Sequence, residues 1–281
     1  QDFDPTVQEA INRIQTFDDT AEVVARMRGL GVQSVNLDVL YGLPHQSIDS
    51  IRATIRQILS IRPNRVALFG YAHVPWMKKH QTMIDERALP DAAARFAQAQ
   101  AAALMLREAG YVAIGIDHFA LPEDGLSMAL QAGKMRRNFQ GYTVDEADAL
   151  IGLGASAIGR LPQGHVQNMP ATGEYQRRVK AGDLATVRGH AMSDDDRARE
   201  AVIEKLMCEF GFGKGWLCLR HGDAALPLFD IANRMVAEGE YLHKSGDRYE
   251  IIEAMRPFAR QVAARFDAYL ETGAARHSMA V

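Results

Sequence analysis

Asp38 sits inside the apolar run Val35, Leu37, Val39, Leu40 of the stretch VNLDVLYGLPHQ, residues 35 to 46. A carboxylate near the end of an apolar strand is expensive to bury without partners, so it marks either a hydrogen-bonded structural aspartate or a ligand contact. The run breaks at Gly42 and Pro44 into a loop that holds His45 and Gln46. His73 and His118 close two further apolar runs, where an imidazole suits proton transfer or substrate hydrogen bonding as well as a structural bond. Lys78-Lys79-His80 and Lys134, Arg136, Arg137 form two basic groups in long loops. Such groups are either solvated surface or a means of capturing a carboxylated or phosphorylated ligand through charge-assisted hydrogen bonds. The nine histidines form no HExxH or HxxxH pair, and CxxC, GxSxG and the P-loop are all missing from the sequence. Cys208 and Cys218 match no usual zinc or redox spacing, and Cys208 falls at helical spacing among apolar residues, as a buried free thiol does.

The elements that must position these groups alternate. A short helix over residues 4–14 precedes a second that Asp18 or Asp19 can cap and Gly31 stops. After the Asp38 strand, Ser47 caps a helix carrying Ile48, Ile51, Ile55, Ile58 and Ile61, which Pro63 ends. Val66 to Tyr71 reads as a second strand, followed by Ala72-His73. Asp91 caps a third helix with Phe96, Ala99, Ala103 and Leu106, and Val112 to Ile116 reads as a third strand ending in Asp117-His118. Strand, helix, strand, helix, strand indicates an α/β fold with parallel strands, whose carboxyl edge carries the polar residues and therefore the chemistry.

Beyond Leu121 the periodicity weakens. Residues 151–159, IGLGASAIG, are small throughout, which permits close backbone approach but lacks the dinucleotide fingerprint. After Met192 the character changes: Ser193 caps a helix beginning Asp194-Asp195-Asp196, another helix lies near Phe229 to Glu238, and Lys244-Ser245-Gly246-Asp247 reads as a hairpin turn. Two domains are expected, 1–190 and 191–281, the second small, mostly helical and winged-helix-like. The net charge of −3 disfavours general nucleic-acid binding, and no apolar run is long enough for a membrane span. Two cysteines in 281 residues fit a reducing, cytoplasmic compartment.

VNLDVLYGLPHQ, FGYAHVPW, GIDHFALPEDGL and RNFQGYT, in this order, together resemble the oxygen-independent coproporphyrinogen III oxidases, or coproporphyrinogen dehydrogenases, of the radical S-adenosylmethionine superfamily. The resemblance runs essentially from Gln1 to the C-terminus, and RNFQGYT with DHFA separates this family from related haem chaperones. It implies the C-terminal part of a partial (β/α)6 radical-SAM barrel followed by the small domain. It also implies a 4Fe-4S cluster held by a CxxxCxxC motif and two molecules of S-adenosyl-L-methionine. A 5′-deoxyadenosyl radical takes hydrogen from two propionates of coproporphyrinogen III, which lose carbon dioxide and become the vinyl groups of protoporphyrinogen IX. An electron donor such as flavodoxin or ferredoxin and an unknown electron acceptor are the expected partners.

Carried over by position, Gln1, Arg13 and Asp38 match contacts of the second S-adenosylmethionine, and Ala72 and Ile158 match contacts around the adenine of the cluster-bound one. That reading turns IGLGASAIG into a cofactor wall. Arg136, Arg137, Lys78 and Lys79 are candidates for the substrate carboxylates on charge alone. The sequence departs from the family in lacking CxxxCxxC, the glycine-rich loop and the glutamate used for the first S-adenosylmethionine, all of which lie upstream of the position matched by Gln1. The expectation is therefore a C-terminal portion beginning at the tip of the fourth barrel strand, with no cluster and no activity alone. Two other classes fit the residues less well: a non-catalytic haem or tetrapyrrole carrier, and an unrelated α/β barrel lyase.

Overall fold

In the computed structural model, which describes residues 1–270, the chain divides between Lys134 and Met135 into two units. The 190/191 boundary expected from the change of character after Met192 lies within the second of these units. In the first unit α1 (Pro5–Ala10) is capped by Asp4, whose carboxylate accepts from the N–H of Thr6 at 2.9 Å. Helix α2 (Phe17–Gly29) is capped by Thr16, not by Asp18 or Asp19. Asp19 closes the capping box from the third helical position, where its carboxylate accepts the Thr16 N–H. Strand β1 (Asn36–Tyr41) leads to α3 (Ile48–Ile61), capped reciprocally by Ser47 and Ser50. Ile51, Ile55 and Ile58 are buried on one face of α3, each stabilising the fold by roughly 1.5–3 kcal/mol through removal of apolar surface from water. Strand β2 (Arg65–Gly70) runs parallel to β1, and α4 (Ala92–Glu108), capped by Asp91, packs beside α3.

The third apolar run departs from the expected parallel strand. Strand β3 (Val112–Ile114) turns at Gly115, which has φ +54°, and returns as β4 (His118–Ala120). It is β4 that pairs with β2, antiparallel, giving the sheet order β1-β2-β4-β3. The physical reason is the tight turn over residues 115–117, which a helical crossover does not allow. Asp117 nonetheless ends beside the carboxyl half of β2, its carbonyl accepting from the N–H of Leu68 at 2.7 Å. The core between sheet and helices comprises Val39, Val66, Leu68, Phe119 and Leu121 with the α3 isoleucines, Ala102 and Leu106. Asp124, 5% exposed, caps α5 (Gly125–Gln131) and takes Arg65 Nε at 2.8 Å, so its buried charge is paired.

The second unit opens with a hairpin, β5 (Arg136–Asn138) and β6 (Gly141–Thr143), from the RNFQGYT stretch. Strands β7 (Ile158–Leu161) and β8 (Gly164–Asn168) form another hairpin; α6 (Thr172–Lys180) follows, and β9 (Thr186–Ala191) completes an antiparallel sheet. Helix α7 (Asp194–Glu209) starts at a Ser193–Asp196 capping box. Strand β10 (Gly211–Gly213), helices α8 (Lys214–His221) and α9 (Leu226–Glu238), the hairpin β11 (Leu242–Ser245) and β12 (Arg248–Ile251), and α10 (Ala259–Ala264) follow. Phe212 stacks on Tyr249 at 5.2 Å and meets Phe266 edge-on at 5.8 Å, an aromatic core under the small sheet β10-β12-β11. No helix of the described residues is long and apolar enough to cross a membrane.

Candidate functional site

Gln1, Arg13 and Asp38 line one cavity of about 230 Å³ in the first unit. Gln1 is fixed against the strand because its carbonyl accepts the N–H of Leu40 at 2.9 Å. Asp38 is exposed rather than buried, on the solvent side of an edge strand, with Asn36 Nδ2 donating to its Oδ1 at 2.8 Å. The alternation of the pleat explains this: Val39 takes the core side and Asp38 the open side. An adjoining cavity of about 330 Å³ shares Gln1 and Arg13 and is lined by Tyr71, Ala72 and His80. The structure thus gathers four of the five expected S-adenosylmethionine positions around Gln1 and Arg13. The donor set suits such a ligand: a guanidinium for a carboxylate, a carboxylate for ribose hydroxyls or an ammonium, and an amide for either.

The carboxylate that burial perturbs is Asp2, which the sequence did not single out. It is 3% exposed, and burial first of all pushes its carboxyl above the ordinary range, against the opposing hydrogen bonds. Those bonds come from Asp4 N–H at 2.7 Å, Gln46 Nε2 at 2.6 Å and Thr54 Oγ1 at 3.1 Å. Gln46 also donates to Leu40 O at 2.8 Å and accepts from Leu43 N–H at 3.2 Å, while Gln98 Nε2 donates to Gln46 O at 2.7 Å. Gln98 Oε1 accepts the N–H of Gly42, a residue at φ +81° where an added Cβ would meet Arg95 Nε at 2.8 Å. This network pins the end of β1, and with it the rim of the cavity.

The loop after β2 is held in the same manner. Arg95 Nη2 donates to Tyr71 O at 2.7 Å, and Gln81 Nε2 donates to Ala72 O at 3.0 Å while its Oε1 takes the Val74 N–H at 2.6 Å. His73 lies between the Tyr71 hydroxyl at 3.2 Å and Glu86 Oε1 at 3.0 Å. His118 Nδ1 is 2.7 Å from Asp117 Oδ1. Lys78 and Lys79 are exposed at the short 3-10 turn Lys79–Met83; of that basic group it is His80 that faces the cavity.

Arg136 and Arg137 come together in the second unit, on a cavity of about 440 Å³ whose wall includes Phe139, Arg160, His165, Glu200 and Met207. Glu204 on α7 clamps the RNFQGYT hairpin: its Oε1 takes both Arg136 Nε and the Arg137 N–H at 3.0 Å. Burial works against the Arg136 charge, but Glu204 outweighs it and raises the guanidinium above its ordinary value. Tyr142 reinforces the clamp by donating to Met207 O at 3.0 Å. Ile158 opens β7 and is not part of this wall. Within IGLGASAIG, Gly152 lies against the segment's own backbone, since a Cβ there would meet Ile158 C and O at 2.9 Å. Arg160, His165 and Glu200 were missed by sequence reasoning. For Arg160 and His165 the signal was Leu161-Pro162-Gln163-Gly164, whose Pro and Gly mark the β7–β8 turn; for Glu200 on α7 there was none. Among the described residues no group of three or more His, Cys, Asp or Glu side chains could hold a metal ion, so these residues do not fit an iron–sulfur cluster.

No protein-family model matches the chain. It is similar to the oxygen-independent coproporphyrinogen III oxidases of Bradyrhizobium diazoefficiens, 49% identical over 284 residues, and Paracoccus denitrificans, 45% identical over 282. Both matches cover 100% of this chain, with 63% of the first relative and 62% of the second. The chain thus spans about three-fifths of the length of these curated relatives. A relative from Thermostichus vulcanus with the same description is 37% identical, the match covering 98% of this chain and 86% of the relative. Among solved structures, the coproporphyrinogen III oxidase of Escherichia coli, described as a radical SAM enzyme, matches with a TM-score of 0.90 and 31% identity, over 96% of this chain and 63% of that one.

Proposed function

The chain belongs to the oxygen-independent coproporphyrinogen III oxidase family, and from that premise we propose that it forms part of an enzyme converting two propionates of coproporphyrinogen III to vinyl groups. The first unit is then the later part of a partial (β/α)6 barrel and the second includes a winged-helix-like domain. The observation that carries the proposal is the convergence of Gln1, Arg13 and Asp38 on one cavity in a chain 49% identical to a named member. When bound, S-adenosylmethionine with a reduced 4Fe-4S cluster supplies a hydrogen-abstracting radical. No step is assigned to a cluster on this chain's residues.

What this chain's residues do is bind and orient. Arg13 pairs with the carboxylate of S-adenosylmethionine, Asp38 accepts from its ribose hydroxyls or ammonium, and Gln1 bridges the two cavities. Ala72 offers a small wall at the end of β2, held by Gln81; the resemblance alone supports Ile158 as a second apolar contact. Arg136 and Arg137 are assigned to the substrate carboxylates, with Arg137 the more available because Glu204 already engages the Arg136 side chain. Lys78 and Lys79 are proposed as outer positive charge that draws an anionic substrate or an acidic electron donor such as flavodoxin or ferredoxin. Free thiols at Cys208 and Cys218 agree with a cytoplasmic setting.

Calorimetric titration of S-adenosylmethionine onto the chain tests the binding assignment. Arg13→Ala and Asp38→Asn should each weaken affinity about tenfold, the equivalent of roughly 1.4 kcal/mol. Unchanged affinity in both variants would remove it. Anaerobic turnover of coproporphyrinogen III by a full-length protein carrying this chain tests the activity, and tetrapyrrole binding without turnover would favour a carrier instead.

A further inference from the structure

The second unit's cavity contains one polar group whose bonding is incomplete. Arg160 and His165 are cross-strand partners on β7 and β8, and Glu200 reaches them from α7. Glu200 Oε1 stands 3.5 Å from Arg160 Nε and 3.7 Å from His165 Nε2, both longer than the ~2.7–3.2 Å of an N–H···O bond. His165 Nδ1 is closed off from solvent and has no hydrogen-bond partner among the described residues. One helical turn away, Glu204 shows what a committed glutamate looks like, with two contacts at 3.0 Å. Apart from Arg137, whose guanidinium lies over the Tyr142 ring, the other charges of the wall are engaged. Asp196 takes the hydroxyls of Ser193 and Tyr269, Asp267 takes the Tyr269 N–H, Asp145 takes the Ala147 N–H, and Arg199 donates to Asp195 and to Phe266 O. Beside the triangle, the Phe139 ring meets His165 edge-on at 5.3 Å and is 52% exposed, offering a free aromatic face.

We propose that Glu200 is a placeholder for a ligand carboxylate. The ligand class is a flat ring bearing an alkyl carboxylate. Its carboxylate takes the guanidinium fork of Arg160 in two parallel bonds and His165 Nε2, the nitrogen that Glu200 now faces, while its ring lies on Phe139 and Glu200 turns to solvent. Glu200 is free to do so, since its side chain is 32% exposed and its ion pairs with Arg160 and His165 stand at 3.5 and 3.7 Å. A cavity of about 440 Å³ accepts one ring with its carboxylate arm and leaves the rest of a macrocycle outside. The assignment rests on the reading that the protein acts on a tetrapyrrole with propionate arms.

The test is titration of the chain with coproporphyrin III, followed by porphyrin fluorescence anisotropy, beside the tetra-amide in which every carboxylate is neutralised. The acid should bind at least about tenfold more tightly than the amide, and Arg160→Gln should shrink that difference several-fold. Glu200→Gln should tighten binding of the acid several-fold, a gain that misfolding cannot produce. Equal binding of acid and amide, or weaker binding in Glu200→Gln, overturns the subsite. Turnover by the full-length protein separates this from the functional reading. Normal conversion of coproporphyrinogen III with Arg160→Gln and Glu200→Gln both silent leaves the family activity standing and removes the subsite. Binding that follows the predicted pattern without turnover does the reverse.

Discussion

Replacing Gln46 by Leu should loosen the first unit more than any exposed substitution, and increasingly so as pH rises. Gln46 is 6% exposed and its amide makes three hydrogen bonds, to Asp2 Oδ2, Leu40 O and the Leu43 N–H. Leucine has similar bulk but leaves all three groups short of a partner in a buried place. Each stranded polar group costs about 1–3 kcal/mol, about 3–9 kcal/mol for the three, and the apolar side chain returns roughly 1 kcal/mol, so a net loss of at least about 2 kcal/mol follows. That is a large part of the ~5–15 kcal/mol that holds a typical domain together. The pH dependence comes from Asp2. Burial already raises its folded pKa, so its ionisation costs stability as pH climbs from the unfolded value through the folded one. Removing the Gln46 donor raises it further, which makes the deficit larger at pH 7 than near pH 4. Hydrogen exchange by mass spectrometry over residues 36–70 reads this directly: protection relative to the parent chain should fall at least about 30-fold at pH 7, and less at pH 4.5. A loss under about fivefold, or an equal loss at both pH values, would refute the idea that this network carries the strand end.

Three further outcomes follow from single groups. Asp196 is held down at about 2, because the Ser193 hydroxyl and N–H, Tyr269 and His190 together outweigh its burial. Its contribution is therefore present above the unfolded value near 4 and lost as pH falls toward 2, so Asp196→Asn should flatten the acid limb of the second unit's unfolding curve, followed by circular dichroism. Ser193→Ala, which removes the other half of the box, should cost about 1 kcal/mol at neutral pH in the same measurement. Burial pushes the Cys208 thiol up to about 12, so an aromatic disulfide reagent at pH 8 should modify Cys218 in the folded chain and reach Cys208 only on unfolding.

Local signals were the legible part of the sequence. The caps at Ser47, Asp91 and Ser193 stand where a hydroxyl or carboxylate precedes an apolar stripe, and the Lys244–Asp247 turn joins two strands. Each is decided within four residues of itself. The misreadings are long-range. Nothing near Val112 announces that β4 will displace it from β2, because that choice is made by pairing with residues 65–67. Asp38 looked buried because its neighbours are apolar, yet the side it faces depends on where β1 lies in the sheet. The network of Asp2, Gln46 and Gln98 escaped notice because three polar residues spread over nearly a hundred positions share no local pattern. The Arg160–His165–Glu200 triangle joins a hairpin to a helix in the same way.

The antiparallel return of β4 also sets a schedule for the ribosome. Strands β1 and β2 and the helix between them are complete once Gly70 has been made, and they can pair at once. The other edge of β2 has no partner until His118–Ala120 arrive about fifty residues later. At ~5–20 residues per second, that edge stays open for roughly 3–10 s during every round of synthesis. Val66 and Leu68, buried in the finished sheet, belong to the strand left half-paired in that interval. The nascent chain therefore passes through a period when a neighbouring strand could take the place reserved for β4, and the short β3–β4 turn, which delivers its partner in a single step, is what closes it.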